Sequence, residues 1–476
     1  MATPLRKSES TSGSTSGGDA SRKHRHAVTR AAALTAVGGI LFGYDTGVVG
    51  GVLPNISSTF DLNSPFLKGL VVAILLAGAA VGALVAGRIA DQLGRRRTIF
   101  ITSVVFVVGL LASALTPWLW LFWVSRFVIG LGVGSTSFVV PLYIGEIAPP
   151  ARRGGLVSMN QLSVTIGILG SELIAYGLAG HGDWRVSVGL ALAPAVVLGL
   201  GVAREPESPA WLVRQGREDD AREVLRGLRD TDDEIDDEIS NVKDTAREES
   251  KGSIGDLIDR RLRPALVLGV VLAVIQQITG INTIIYFAPT VLQEAGLGSS
   301  ASLLALVIVG AANVIMTVVA IRFLDRIGRR PLLIGGMVGM VIGLAALAIA
   351  FGIGVHGGGA VFATVALAFY VGAFAVSLGP IVWLLIAEIF PLRVRGQAAS
   401  IATMANWAAN LVVAVSYLSI ISWIGQTGTF VLYGAITLLS LVYVVAKVPE
   451  TKGLSLKQVE QQIDGHKHDD ALADAA

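Results

Sequence analysis

Asp45 lies inside an apolar run, 28–52, where water cannot hydrate its charge. A carboxylate at the centre of a bilayer costs ~2.5–3.5 kcal/mol on insertion scales. Unpaired, such a group holds its proton; an adjacent cation helps it let go. Arg126, at the start of a glycine-rich run, is the candidate partner. Protonation of Asp45 would release Arg126, and helix movement would then change the proton affinity. A static buried ion pair is the alternative. A second group is polar but uncharged. Gln276, Gln277 and Asn282 share one run, Asn313 lies in the next, Asn406 and Asn410 lie further on, and Gln161 falls in the first half. Carboxamides donate and accept hydrogen bonds with no net charge to desolvate. That chemistry suits a neutral ligand rich in hydroxyls. Gln276 and Asn282 are under two helical turns apart, so both can line one cavity. The competing use is hydrogen bonding between helices in lipid, worth ~0.6 kcal/mol on average; Asn410 fits that use.

Such residues need a scaffold that keeps water out. The chain has 476 residues, of which 37 are basic and 35 acidic, 15% charged in all. Ordinary soluble domains run near ~25%. The hydrophobic fraction is 53% and the mean hydropathy +0.67. Few water-soluble chains of this length could keep so much apolar sequence off the surface; a chain whose outer face meets lipid can. Gly is frequent, at 56 residues, as in membrane helices packed through small side chains. Cys is absent, which excludes disulfides, thiolate metal sites and Cys nucleophiles. The spans hold no Ser–His pairing, metal cluster or phosphate loop, so the sequence argues against an enzyme. A net charge of +2 gives no reason to expect nucleic acid.

Apolar runs lie at 28–52, 66–87, 99–119, 121–145, 156–179 and 186–203, then at 264–292, 302–323, 331–354, 359–387, 397–420 and 426–447. Each is about twice the ~10-residue strand of an outer-membrane barrel, so they are read as helices. Arg88, Arg95, Arg96 and Arg97 follow the second run; Arg152 and Arg153 follow the fourth; Arg326, Arg329 and Arg330 follow the eighth; Arg393 and Arg395 follow the tenth. By the positive-inside rule these connections, the central loop and both termini face the cytoplasm. Residues 204–263 hold about 30 of the charges, acids exceeding bases. Trp211, Leu212, Val224, Leu225 and Leu228 predict short amphipathic helices there. Residues 1–26 are too polar to bury a core and read as a disordered tail; 448–476 form a second tail.

The chain repeats itself. DQLGRR at 91–96 recurs as DRIGRR at 325–330, EIAP at 146–149 as EIFP at 388–391, and PES at 206–208 as PET at 449–451. Three matches in one order, at nearly one offset, indicate two homologous halves of six helices, 27–203 and 264–447. Repeats of this kind place a substrate site at the interface between halves, near mid-membrane. The fold expected is all-α, with twelve transmembrane helices in two pseudo-symmetric halves and a short helical intracellular segment.

The stretches GYDTGVVGG, GRIADQLGRRR, RFVIGLGVG, PLYIGEIAPPARRG, PESPAWL, QQITGIN, DRIGRRP, GPIVWLLIAEIFPLRVRG, NW and PETKG resemble those of a sugar porter of the major facilitator superfamily. They cover Phe42 to Gly453. The resemblance implies alternating access. The amides would then form a sugar site, with Phe42, Trp383 and Trp407 as stacking platforms and Tyr286 as an outer-gate residue. It also implies that Glu146, Arg153, Asp91 and Arg88 work with Glu388, Arg395, Asp325 and Arg329 as a cytoplasmic gate of inter-helix salt bridges. Proton-coupled members look like this chain in having Asp after Gly-Tyr in the first span, where uniporters typically have Asn. The expectation is therefore uptake of a monosaccharide or polyol with a proton across the cell membrane. No cofactor or metal is expected, and a monomer should suffice. An uncoupled facilitator is the alternative; a sugar sensor is disfavoured by tails of only about 26 and 29 residues. Two departures stand out. Phe287 replaces a frequent second Tyr, and Ala210 replaces a usual Arg, which questions one contact between the central loop and the inner gate.

Overall fold

The structure is a computed structural model that describes residues 14–179, 183–250, 262–294, 297–354, 358–391, 394–452 and 458. Among the described residues every regular element is helical. The first half comprises α1 (Ser14–Thr59), α2 (Pro65–Leu93), α3 (Arg95–Leu115), α4 (Leu119–Ile147), α5 (Arg153–Gly177), α6 (Trp184–Gly189) and α7 (Leu192–Val202). Three short helices follow, α8 (Pro209–Arg214), α9 (Glu218–Arg226) and α10 (Asp232–Ser250). The second half comprises α11 (Arg263–Ile278), α12 (Ile281–Glu294), α13 (Ser299–Ile327), α14 (Arg329–Gly352), α15 (Gly358–Val376), α16 (Leu378–Ile389) and α17 (Arg395–Lys447).

Among the described residues, ten segments are long and apolar enough to cross a membrane. In three of them the span is a pair of helices, α6–α7, α11–α12 and α15–α16. Helix α5 adds an eleventh span; Asn160, Gln161 and Glu172 dilute its apolar character. Gly425, with φ 72° and ψ 173°, divides α17 into two. The result is the expected twelve spans. One expectation needs correction. The first helix starts at Ser14, so residues 14–26 continue α1 instead of forming an irregular tail. His24 there bonds Asp230 of the linker at 2.9 Å, which ties the extension down. Residues 1–13, most of 453–476 and 251–261 lie outside the described residues.

Small residues let the helices approach closely. A side-chain carbon on Gly43 would stand 1.8 Å from the Val164 carbonyl, which locks α1 against α5. Gly134 plays the same part between α4 and α2, where such a carbon would stand 1.9 Å from the Ala79 carbonyl. With little hydrophobic drive between helices in lipid, such close packing supplies the attraction.

The short helices have their own apolar cluster of Trp211, Leu212, Val213, Ala221, Leu225, Ile235 and Ile239. They dock on the first half. Trp211 Nε1 donates to the Asp91 carbonyl at 2.8 Å, and Arg229 Nη1 to the Ile147 carbonyl at 3.1 Å. The loop therefore keeps its grip on the first half with alanine at 210.

The two halves approach closely at the end away from this linker. Gly50 of α1 faces the Ile285 carbonyl of α12, and Gly69 of α2 faces the Val415 carbonyl of α17. Nearer the linker, a cleft between halves is lined by Ala83, Leu84, Phe138, Ser400, Thr403 and Met404.

Candidate substrate and proton sites

Helix breaks build the amide site. Between α11 and α12 the chain turns at Gly280, with φ 91°. A side-chain carbon there would stand 2.8 Å from the Tyr433 ring, so the turn requires glycine on two counts. Between α15 and α16 the chain leaves helical geometry at Ser377. The break frees backbone carbonyls inside the membrane, which is tolerated where protein covers them or a cavity opens. Gln276 Nε2 caps them, donating to the carbonyls of Leu378 at 2.8 Å and Gly379 at 3.3 Å.

From Gln276 a chain of amides runs across three helices. Asn406 Nδ2 donates to Gln276 Oε1 at 2.7 Å and to the Ala273 carbonyl at 2.8 Å. Gln277 Nε2 donates to Asn406 Oδ1 at 3.0 Å, and Asn282 Nδ2 to Gln277 Oε1 at 2.7 Å. Gln276, Gln277 and Asn406 are buried; Asn282, at the end of the chain, is partly open. Asn313 is buried on α13, and Gln161 is partly open on α5; neither bonds to this network. Asn410 is buried one turn beyond Asn406, facing the Tyr286 hydroxyl.

The aromatic residues divide. Phe42 of α1 and Trp407 of α17 pack with ring centroids 5.7 Å apart, tilted by 51°. Trp407 is buried, and its Nε1 has no hydrogen-bond partner among the described residues. Trp383 is 38% exposed and enters no ring pair among the described residues. It sits one turn beyond the Gly379 carbonyl.

Arg126 and Asp45 form a buried ion pair. Arg126 Nη1 donates to Asp45 Oδ1 at 2.7 Å, with both side chains buried. The bond is single. Asp45 Oδ2 and Arg126 Nε are buried without partners among the described residues. Tyr286, from the other half, lies within electrostatic reach of both charges.

At the linker end the charged motifs form inter-helix ion pairs within each half. Arg95 is the organising cation in the first half. It donates to Glu146 Oε2 at 2.9 Å and to Asp91 Oδ1 at 3.1 Å while buried itself. Ser208 donates to the same Glu146 at 2.5 Å. Arg329 repeats this in the second half, donating to Glu388 at 3.1 Å, and Thr451 donates to Glu388 as well. These brackets lie within each half. Arg88 and Arg153 are exposed and pair with no carboxylate among the described residues. Arg395 Nε donates to the Phe390 carbonyl at 3.1 Å. The side chain of Asp325 lies outside the described residues. Among the described residues, the carboxylates Glu146 and Glu388 thus take their cations from helices of their own half.

Two residues were assigned to no site from the sequence. Arg95 was hidden among three consecutive arginines. Glu172 is a second carboxylate inside a span, and the rule that singled out Asp45 also identifies it.

Residues 31–463 match the family model described as sugar (and other) transporter. The chain is 38% identical to the galactose-proton symporter of Escherichia coli K12, over 90% of this chain and 93% of that protein. It is 37% identical to the D-xylose transporter of Levilactobacillus brevis, over 92% and 96%. Among solved structures it resembles the partially occluded inward-open xylose transporter XylE of E. coli, with TM-score 0.79 and 31% identity over 90% of this chain and all of that one. With this match over nearly its whole length, the chain belongs to the sugar transporter family of the major facilitator superfamily.

Proposed function

We propose that the protein imports a monosaccharide or polyol together with a proton by alternating access. The observation that carries this reading is a physical link between the two sites. Phe42 stands one turn before Asp45 on α1, and its ring contacts Trp407, the neighbour of Asn406 in the amide network. A change at Asp45 that moves α1 must therefore disturb the amide site. Asp45, on protonation, would release Arg126; Gln276, Gln277, Asn282 and Asn406 would hold sugar hydroxyls, with Asn313, Gln161 and Trp383 lining the same cavity. Both halves of the site come from one chain, so a monomer suffices.

The linker end is assigned to the cytoplasm, with both termini on that side of the cell membrane. The conformer would then be closed outside and open inward. The brackets around Glu146 and Glu388 would hold each half rigid as it rocks. A potential of ~100 mV supplies ~2.3 kcal/mol per proton, and one pH unit adds ~1.4 kcal/mol. Together these drive accumulation of several-hundred-fold at one proton per sugar.

Uptake of labelled hexoses, pentoses and inositol into energised vesicles, with and without a proton uncoupler, tests the proposal. Accumulation of one sugar that collapses with uncoupler is expected. Equilibration unaffected by uncoupler would instead make the protein a facilitator.

A further inference from the structure

Glu172 plays no part in the mechanism above. It lies on α5 about three turns beyond Gln161 and on the same face. Its side chain is 1% exposed. Among the described residues Oε2 has no hydrogen-bond partner, and no ion pair involves this carboxylate.

Its setting is a seam between the halves. Helix α13 of the second half offers Gly310 there. A side-chain carbon on Gly310 would stand 1.8 Å from Glu172 Oε2 and 2.8 Å from the carboxyl carbon. The carboxyl group thus occupies the notch left by a missing side chain on the opposite half. The titratable and charged groups on the surrounding elements are few. Helix α1 presents Tyr44, bonded to the Ser187 carbonyl, and Asp45, bonded to Arg126 of α4. Helix α12 presents Tyr286, and α6 presents Arg185, which donates to the Thr116 carbonyl. Tyr176 lies one turn beyond Glu172 on α5, Asp183 caps the start of α6, and on α13 Arg322 lies more than three turns from Gly310.

An ionised carboxylate with no partner is costly in such a place, and the protonated form removes that cost. When the halves rock, α5 and α13 separate at this end and the notch fills with water. The carboxyl can then release its proton to that side. We propose that Glu172 is a second proton-binding site, one that must take up a proton from the outer side before the halves can close there. The step is simple: the carboxylate oxygen gains a proton from water, and no other bond changes. High external pH would then hold the outer end open. The inference rests on the alternating-access reading above.

The natural lack of cysteine permits a direct test. Leu303, 6% exposed, covers Gly51 across the same seam near the outer end. The reporter is Leu303→Cys, labelled in right-side-out vesicles by a membrane-impermeant maleimide, with rates corrected for thiol ionisation using a small-molecule thiol. The same measurement in an Asp45→Asn background removes the other membrane carboxylate. With Glu172 present, corrected labelling should rise with external pH, by up to ~10-fold per unit. With Glu172→Gln the rise should vanish. Glu172→Met repeats the comparison should the glutamine variant fail to fold. Flat labelling in the Glu172 protein, or an unchanged rise in the variants, overturns the proposal. Labelling is read without sugar, so failure of sugar uptake in the parent would count against the transport reading alone.

Discussion

The carboxylate of Glu207 fills the space where a side chain on residue 94 would stand. A side-chain carbon on Gly94 would lie 2.3 Å from Glu207 Oε2, and the backbone there has φ 94°. Glu207 also accepts from the Arg96 backbone N–H at 3.0 Å. The second half repeats the device, with Glu450 against Gly328 and the Arg329 N–H at 3.1 Å. Gly94→Ala should therefore destabilise the protein by ~1–3 kcal/mol, through steric clash and backbone strain together. Gly145→Ala, where the nearest atom to the added carbon is 3.9 Å away, is the control. Thermal unfolding in detergent checks both; equal midpoints would refute the account.

Asp45→Asn keeps an acceptor for Arg126 but loses the titratable proton. It should abolish accumulation and leave sugar counterflow within a few-fold of wild type. Arg126→Ala should cost more stability, ~3–5 kcal/mol, because it leaves a buried carboxylate unpaired. Counterflow in proteoliposomes and unfolding in detergent separate the two effects. An Asp45→Asn protein that still concentrates sugar would remove Asp45 from the coupling step.

Phe42→Ala removes the ring contact with Trp407. Such pairs contribute ~0.5–1.5 kcal/mol beyond area burial, so KM should rise about 2- to 10-fold. Coupling should also loosen, read as uncoupler-insensitive leak of preloaded sugar. Wild-type KM and retention together would show that the two sites communicate by another route.

The amides should act as a unit. Gln277→Leu and Asn406→Ala each leave a partner unsatisfied, so each should weaken sugar binding strongly. Their double mutant should lose less than the sum, with a coupling of ~0.5–3 kcal/mol. Binding measured by isothermal titration across the four proteins gives this value. Additive losses would mean that Gln277 and Asn406 contact the sugar independently.

The site was legible to different degrees. Gln276, Gln277 and Asn282 were readable because polar amides are conspicuous in apolar runs and lie close in sequence. Asn406 could be named but not placed, since it joins the network from another helix. Arg95 could not be told from Arg96 and Arg97, since only packing decides which guanidinium is buried. Arg88 and Arg153 share the motif and yet point to water.

The sequence by itself determined the solvent, the number of spans and the doubling of the chain. Those follow from counting, because lipid demands long apolar helices and charges can survive only at their ends or in pairs. The tertiary structure alone decided which partners meet. It brought Arg126 to Asp45, kept the brackets of Glu146 and Glu388 within their own halves, and set Glu172 into the notch of Gly310. Such choices depend on helix rotation and on how closely two backbones approach, and neither quantity is written in one helix alone.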